Sequence, residues 1–338
     1  MEAYLYESLK DKQVKCHLCS HRCVIKDGRR GICSVRENRS GVLETLVYGR
    51  IIASHVDPIE KKPLYHFWPE SLSYSIATVG CNFRCVFCQN ADIAQMPSDH
   101  KGTVRCGYVT PEEVVDAAMK SKCKSISYTY TEPTIFFEFA YDTAKHAHAK
   151  GIQNVFVTNG YMTSEALEMI NPYLDAANVD LKAFTNDFYK TYCSAKLAPV
   201  KETLIQMKSL GIFVEVTTLI IPGLNDEKQE LEDLAAFIAE SLGTETPWHI
   251  SRFHPTYKLM DRPHTPVETL VSARNIGLKA GLKYVYTGNV PGENGEKTFC
   301  YQCGKMLMDR WGFYVRKNRV ENSRCKYCRA IIHGVGLL

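Results

Sequence analysis

Gly80-Cys81-Asn82-Phe83-Arg84-Cys85-Val86-Phe87-Cys88-Gln89-Asn90 sets three thiols in a CxxxCxxC spacing and supplies no fourth. Closed structural metal sites use a full set of protein ligands, whereas a site meant for chemistry keeps one position open. By the same logic a 4Fe-4S cluster, if held by Cys81, Cys85 and Cys88, would have one iron free for a small molecule. The order of the spacings, three then two, differs from paired CxxC zinc knuckles and from the bacterial ferredoxin run.

Around this loop, short apolar runs alternate with longer helix-like stretches. Strands are predicted at 74–79, just before the loop, and then at 125–130, 154–158, 177–181, 213–221 and 248–253, with a seventh, edge run at 282–286. Helix candidates lie between them: residues 110–121 open on Thr-Pro-Glu-Glu, and residues 227–241 follow Asn225 and Asp226 as possible caps. Strand and helix repeated in this way imply an α/β fold with a parallel sheet. Ligands of such sheets gather at the carboxyl ends of the strands. There the chain carries the Cys81 loop, Thr131-Glu132-Pro133, Thr158-Asn159-Gly160, Asp180-Leu181-Lys182, Ile221-Pro222-Gly223 and Phe253-His254-Pro255. Asp180 and Lys182, two apart, share one face of a strand and reach the same side. Taken singly, each of these has a plainer reading: Glu132 as a helix cap, Asn159-Gly160 as a turn, His254 as a core residue, Asp180 with Lys182 as a surface pair.

The cysteine loop resembles that of the radical S-adenosylmethionine (SAM) superfamily, and the six strand-end segments resemble its partial (β/α)6, TIM-like barrel. That resemblance implies a 4Fe-4S cluster on Cys81, Cys85 and Cys88 that chelates SAM and cleaves it to a 5′-deoxyadenosyl radical. It further implies that Phe87 lies next to the adenine, while Glu132, Asn159, Asp180, Lys182 and His254 help to hold SAM. Asp180-x-Lys182 and His254 resemble positions of glycyl-radical-enzyme activases. Where the superfamily usually has Gly-Gly-Glu, this chain has Tyr130-Thr131-Glu132. With CHLCSHRC, DPIEKKPLYHF and SYTYTEPT added, the chain resembles the radical SAM component of the AmmeMemoRadiSam system, a relative of pyruvate formate-lyase activating enzymes. The implied partners are a flavodoxin or ferredoxin donor, Memo-like and AMMECR-like proteins, and a protein substrate.

Fourteen cysteines without an export signal point to metal ligands rather than disulfides, and to a cytoplasmic protein. Cys300, Cys303, Cys325 and Cys328 form two CxxC knuckles 21 residues apart, a pattern that suits Zn(II), with an auxiliary iron–sulfur cluster as the alternative. Cys16, Cys19, Cys23 and Cys33 have the count for a closed site but no common spacing, which leaves zinc and a second 4Fe-4S cluster both open. Cys193, after the fourth strand, is a candidate hydrogen-donating thiol or else a buried free cysteine. The expected organisation is a Cys-rich extension over residues 1–72, a core barrel over 73–290 and a zinc-ribbon-like module over 291–338. A net charge of +4 names no partner, and no apolar run approaches membrane-spanning length. The rival class is a non-catalytic iron–sulfur or zinc module that binds RNA through the basic, aromatic C-terminus.

Overall fold

The computed structural model describes residues 1–104, 106–290 and 294–337. Seven parallel strands run in sequence order through one sheet: β1 (Leu72–Thr78), β2 (Ser125–Tyr128), β3 (Gln153–Thr158), β4 (Ala176–Asp180), β5 (Phe213–Ile220), β6 (Trp248–Arg252) and β7 (Val285–Gly288). Between successive strands lie α1 (Pro111–Lys120), α2 (Phe137–Ala149), α3 (Ser164–Ile170), α4 (Leu197–Ser209), α5 (Lys228–Phe237) and α6 (Val267–Lys279). This is the expected α/β fold with a parallel sheet, extended by the expected edge strand. Arg50–Pro58 pairs antiparallel with β1 and carries the sheet back into the first 72 residues. The sequence boundary drawn before residue 291 abuts residues 291–293, which lie outside the described residues.

Local chemistry accounts for most elements. Thr110 Oγ1 accepts from the Glu113 N–H at 3.2 Å and Glu113 Oε2 accepts from the Thr110 N–H at 2.7 Å, a capping box that starts α1. All four residues of β2 are buried, as expected of a strand covered on both faces. Asn225 and Asp226 serve differently from the caps expected of them. Asn225 Oδ1 accepts from Ile221 N at 2.7 Å and Asp226 Oδ1 from Gly223 N at 2.7 Å, so they tie the turn after β5, while α5 starts at Lys228 without a side-chain cap. Among the described residues no helix is long and apolar enough to cross a membrane.

The C-terminal module, built on the strands Thr298–Phe299, Met306–Trp311 and Tyr314–Asn318, shares a small core with Tyr65 and with Tyr284 and Tyr286 around β7. His66 lies in this seam. Its Nδ1 is 2.7 Å from the His333 carbonyl and therefore carries the proton, which leaves Nε2 to accept from the Tyr286 hydroxyl at 2.5 Å. Burial pushes His66 from 6.5 down to about 4. The unfolded chain consequently binds the extra proton first as pH falls, and stability present above pH 6.5 is lost toward pH 4, on the order of 3 kcal/mol. We expect the Tm to fall across that window and to fall less steeply in His66→Gln. An unchanged slope in the variant would remove His66 as the titrating group.

Candidate active site

The cysteine loop leaves β1 at Gly80, whose φ is +103°; a Cβ there would stand 2.8 Å from Val35 Cγ1, so only glycine lets the strand end approach the N-terminal segment this closely. Backbone bonds then fix the loop against the turn that precedes α4. Arg84 N donates to the Cys193 carbonyl at 2.9 Å and Val86 N to the Tyr192 carbonyl at 3.0 Å. Inside, Arg84 Nη1 donates to the Cys81 carbonyl at 3.0 Å and Gln95 Nε2 to the Phe83 carbonyl at 3.1 Å.

Cys81, Cys85 and Cys88 line one cavity of about 810 Å³ together with Phe87, Glu132, Asn159, Asp180 and Lys182. Burial, followed by the nearby Glu132 carboxylate, raises the Cys81 thiol, and burial raises Cys88 to about 11. Cys85 is raised by its hydrogen bond with Cys193 and by burial. Three such thiols become thiolates when a metal core supplies compensating positive charge. The buried Asn82 Nδ2, beside Cys81, has no acceptor within the protein and suits a group with acceptor sulfur atoms. These residues fit a cluster held by the triad.

Glu132 is buried and organises two strand ends. Its Oε1 accepts from Thr134 N at 3.0 Å, Thr134 Oγ1 at 2.5 Å and Thr158 Oγ1 at 2.7 Å, and its Oε2 from Asn159 N at 2.8 Å. Oε2 thus keeps an acceptor position for a cation in the cavity. Asn159 Nδ2 donates to Asn82 Oδ1 at 2.7 Å and stands 3.9 Å from Cys81 Sγ, which joins the third strand end to the cysteine loop. Tyr130, where the resemblance leads one to expect glycine, holds φ at +61°. The strained backbone is kept by Asn90 Nδ2, which donates to the Tyr130 carbonyl at 2.8 Å, and by the Tyr130 hydroxyl, which donates to Asp57. Lys182 Nζ donates to Asp180 Oδ2 at 2.8 Å; burial opposes its charge, but Asp180 and the Cys85 and Cys193 sulfurs hold its pKa above the ordinary value.

Two expected residues are not brought to the cavity. His254 is exposed and its ring faces His264, with centroids 6.4 Å apart. Cys193 is fully buried outside the lining, its thiol against Cys85, which is the buried free cysteine of its two readings and not the cavity-facing thiol. Other side chains enter the wall unforeseen. Lys62, buried and brought down to about 8 by burial, donates to Asp57 Oδ2 at 2.7 Å and lies over the Tyr130 ring at 4.5 Å. His249 Nε2 meets Glu215 Oε2 at 2.6 Å, and Arg310 reaches in from the C-terminal module over the Tyr65 ring at 4.3 Å. A glutamate inside the apolar run of β5 was the available signal for Glu215, because a charge in a doubly covered strand must find a buried partner. For Lys62 it was the adjacent charges of DPIEKK. Arg310 left no signal, since its approach depends on how two modules dock.

The C-terminal cysteines converge: Cys300 Sγ is 3.6 Å from Cys328 Sγ, and Cys303 Sγ is 3.8 Å from Cys325 Sγ. All four sulfurs lie within 4.8 Å of one another. With Zn–S bonds of about 2.3 Å, tetrahedral thiolates stand about 3.8 Å apart, so the spacing suits a single ion. Burial works against the Cys325 thiolate, yet the Cys328 and Tyr327 N–H groups bring it down to about 7.

Residues 75–238 match the model of the radical SAM superfamily. An uncharacterized protein of Methanocaldococcus jannaschii is 50% identical over 329 residues, 97% of each chain. The pyruvate formate-lyase-activating enzyme of Clostridium pasteurianum is 24% identical over 198 residues, 54% of this chain and 80% of that one. Among solved structures, a radical SAM methyltransferase from Sphaerobacter thermophilus shares the fold with a TM-score of 0.51 at 16% identity, over 71% of each chain. A strand-end cavity carrying three cysteines, the family match over residues 75–238 and a relative 50% identical along 97% of the chain lead to one conclusion: the chain belongs to the radical SAM superfamily and is an enzyme of the radical SAM type.

Proposed function

We propose that Cys81, Cys85 and Cys88 hold the catalytic 4Fe-4S cluster and that Glu132, Asn159, Asp180 and Lys182 bind and orient SAM beside it. The observation that carries this reading is that all seven side chains line one cavity. Bound there, cluster and SAM supply reductive cleavage to a 5′-deoxyadenosyl radical, which removes a hydrogen atom from a substrate. Glu132 receives the cationic amino group of SAM, and Phe87, packed on Phe188 at 5.7 Å, bounds the adenine side. The part of the cavity lined by Lys62, His249 and Arg310 is the substrate's place. Zn(II) on the C-terminal quartet holds the module that contributes Arg310, Trp311 and Phe313 to the lining.

The finer reading is activation of a partner protein, with a flavodoxin or ferredoxin as reductant. It is supported by activating-enzyme relatives, among them a putative glycyl-radical enzyme activating enzyme of Methanocaldococcus jannaschii, 25% identical over 205 residues, 59% of this chain and 77% of that one. Assignment to the AmmeMemoRadiSam system, with Memo-like and AMMECR-like partners, rests on the motifs Asp57–Phe67 and Ser127–Thr134. The direct test is anaerobic reconstitution with iron and sulfide, reduction with dithionite, and chromatography of the products of SAM. We expect 5′-deoxyadenosine and methionine in equal amounts; a fully loaded, reduced protein that yields neither removes the reading.

A further inference from the structure

We propose that Cys16, Cys19, Cys23 and Cys33 hold a second iron–sulfur cluster rather than zinc, and that it passes electrons to the catalytic loop. The electron-relay part rests on the radical SAM reading above; the metal site stands on its own geometry. All four cysteines line one small apolar cavity, closed by Leu18, Ile25, Ile32 and Ile135. Zinc and a cluster make different demands on such a quartet. A lone ion draws four sulfurs to about 3.8 Å, whereas a cluster places iron and sulfide between them and needs a wider cradle. The C-terminal quartet has the close spacing. Among the described residues, no three of the N-terminal cysteines bring their sulfurs within 4.8 Å of one another, and neither do the three catalytic cysteines. By this measure the N-terminal quartet resembles the cluster-binding triad and departs from the zinc-like group.

A second observation is independent of the sulfurs. Arg36, only 2% exposed, lines the same cavity, and its Nε has no hydrogen-bond partner. Its Nη2 is committed to the Tyr4 carbonyl at 2.7 Å and its Nη1 is 2.9 Å from Glu138 Oε1. An open guanidinium N–H in an apolar cavity costs free energy unless an anion lies there. Thiolates with bridging sulfides are such an anion. Gly31 keeps the space beside Cys23: a Cβ there would come within 3.2 Å of Ile25 Cδ1 and 3.7 Å of Cys23 Sγ.

The two cysteine sites are joined directly. His21, between Cys19 and Cys23, has Nε2 2.8 Å from the Asn82 carbonyl, next in chain to Cys81. Arg84, in the catalytic loop, donates to the Ile32 carbonyl and to Ser34 Oγ, on either side of Cys33. Gly80 backs onto the Cys33 carbonyl, which a Cβ would approach to 3.3 Å. In such a relay, Cys16, Cys19, Cys23 and Cys33 would hold a cluster that takes one electron from a donor protein and gives it up again to the cluster on Cys81, Cys85 and Cys88, where that electron would supply the reductive cleavage of the C5′–S bond of SAM to methionine and the 5′-deoxyadenosyl radical.

Metal analysis of the full chain after anaerobic reconstitution tests the site. We expect about eight irons, about eight sulfides and about one zinc per chain. Cys19→Ala/Cys23→Ala is expected to lose about four irons while keeping its zinc, which doubles as a check that the C-terminal module has folded. About four irons with about two zincs, or an iron count unmoved by the double variant, overturns the site. Cys85→Ala separates this from the catalytic reading, because it is expected to lose a different set of irons and to keep a reducible signal in electron paramagnetic resonance that does not respond to SAM. For the relay, the double variant should form 5′-deoxyadenosine about tenfold or more slowly with flavodoxin as donor, yet at near the wild-type rate with dithionite. Equal rates with flavodoxin, or equal loss with both donors, overturns it.

Discussion

Alanine at Cys85 should lower 5′-deoxyadenosine formation by at least about a thousandfold and leave the fold intact. The loop does not depend on this sulfur for its shape: Arg84 N and Val86 N remain bonded to the Cys193 and Tyr192 carbonyls, and Arg84 Nη1 still bridges to the Cys81 carbonyl. What is lost is one of three ligands, and two thiolates cannot hold a cluster of four irons against dilution. Cys193 is the one complication, since its thiol already lies against Cys85. If Cys193 moves in as a substitute ligand, Cys85→Ala keeps residual iron and Cys85→Ala/Cys193→Ala loses it. Cys193→Ala alone should retain most activity, because that thiol lies outside the cavity lining. Measured by product chromatography and iron content, full activity in Cys85→Ala/Cys193→Ala would sink the assignment of the cluster to this loop.

Glu132→Ala should have the second largest effect, by a different route. The carboxylate satisfies four donors from Thr134, Thr158 and Asn159. Its removal leaves those groups buried without an acceptor, at about 1–3 kcal/mol each where water cannot replace it, so the Tm falls as well as the activity. Glu132→Gln separates the two roles. It keeps the volume and one acceptor oxygen but turns an amide N–H toward existing donors, and it removes the negative charge that meets the SAM amino group. We expect normal iron content in Glu132→Gln, with SAM binding by equilibrium dialysis weakened about tenfold or more, the worth of a charge-assisted contact. Undiminished SAM affinity in that variant would reduce Glu132 to a structural tie between the second and third strand ends.

The positions of the strands along the chain, the open cysteine loop and the residues at the first four strand ends could be read directly from local pattern. A buried parallel strand must be an apolar run, its crossover helix must be amphipathic and capped, and the side chains just beyond each strand must face the same end of the sheet. Glu132, Asn159, Asp180 and Lys182 obey that rule and converge. His254 follows β6 by the same reasoning yet turns outward, because Phe253 N is bonded to Thr265 Oγ1 and that side-chain bond redirects the chain. Tyr130 shows the opposite case. A non-glycine residue holds the left-handed conformation because contacts with Asn90 and Asp57, 40 and 73 residues away in sequence, compensate the strain.

Cysteine spacing alone identified three groups of thiols and the open character of one. It favoured zinc for the C-terminal quartet and left the N-terminal one open between zinc and a second cluster, because ligand count is a property of the chain while the distance between sulfurs is a property of the fold. The same division runs through the cavity. One part of its lining is built from consecutive residues at strand ends and follows from periodicity. Another part of its lining joins Lys62, His249 and Arg310, which come together only when the segment after the strand Arg50–Pro58, β6 and the C-terminal module pack, and long-range packing of this kind leaves no periodic trace in the order of amino acids.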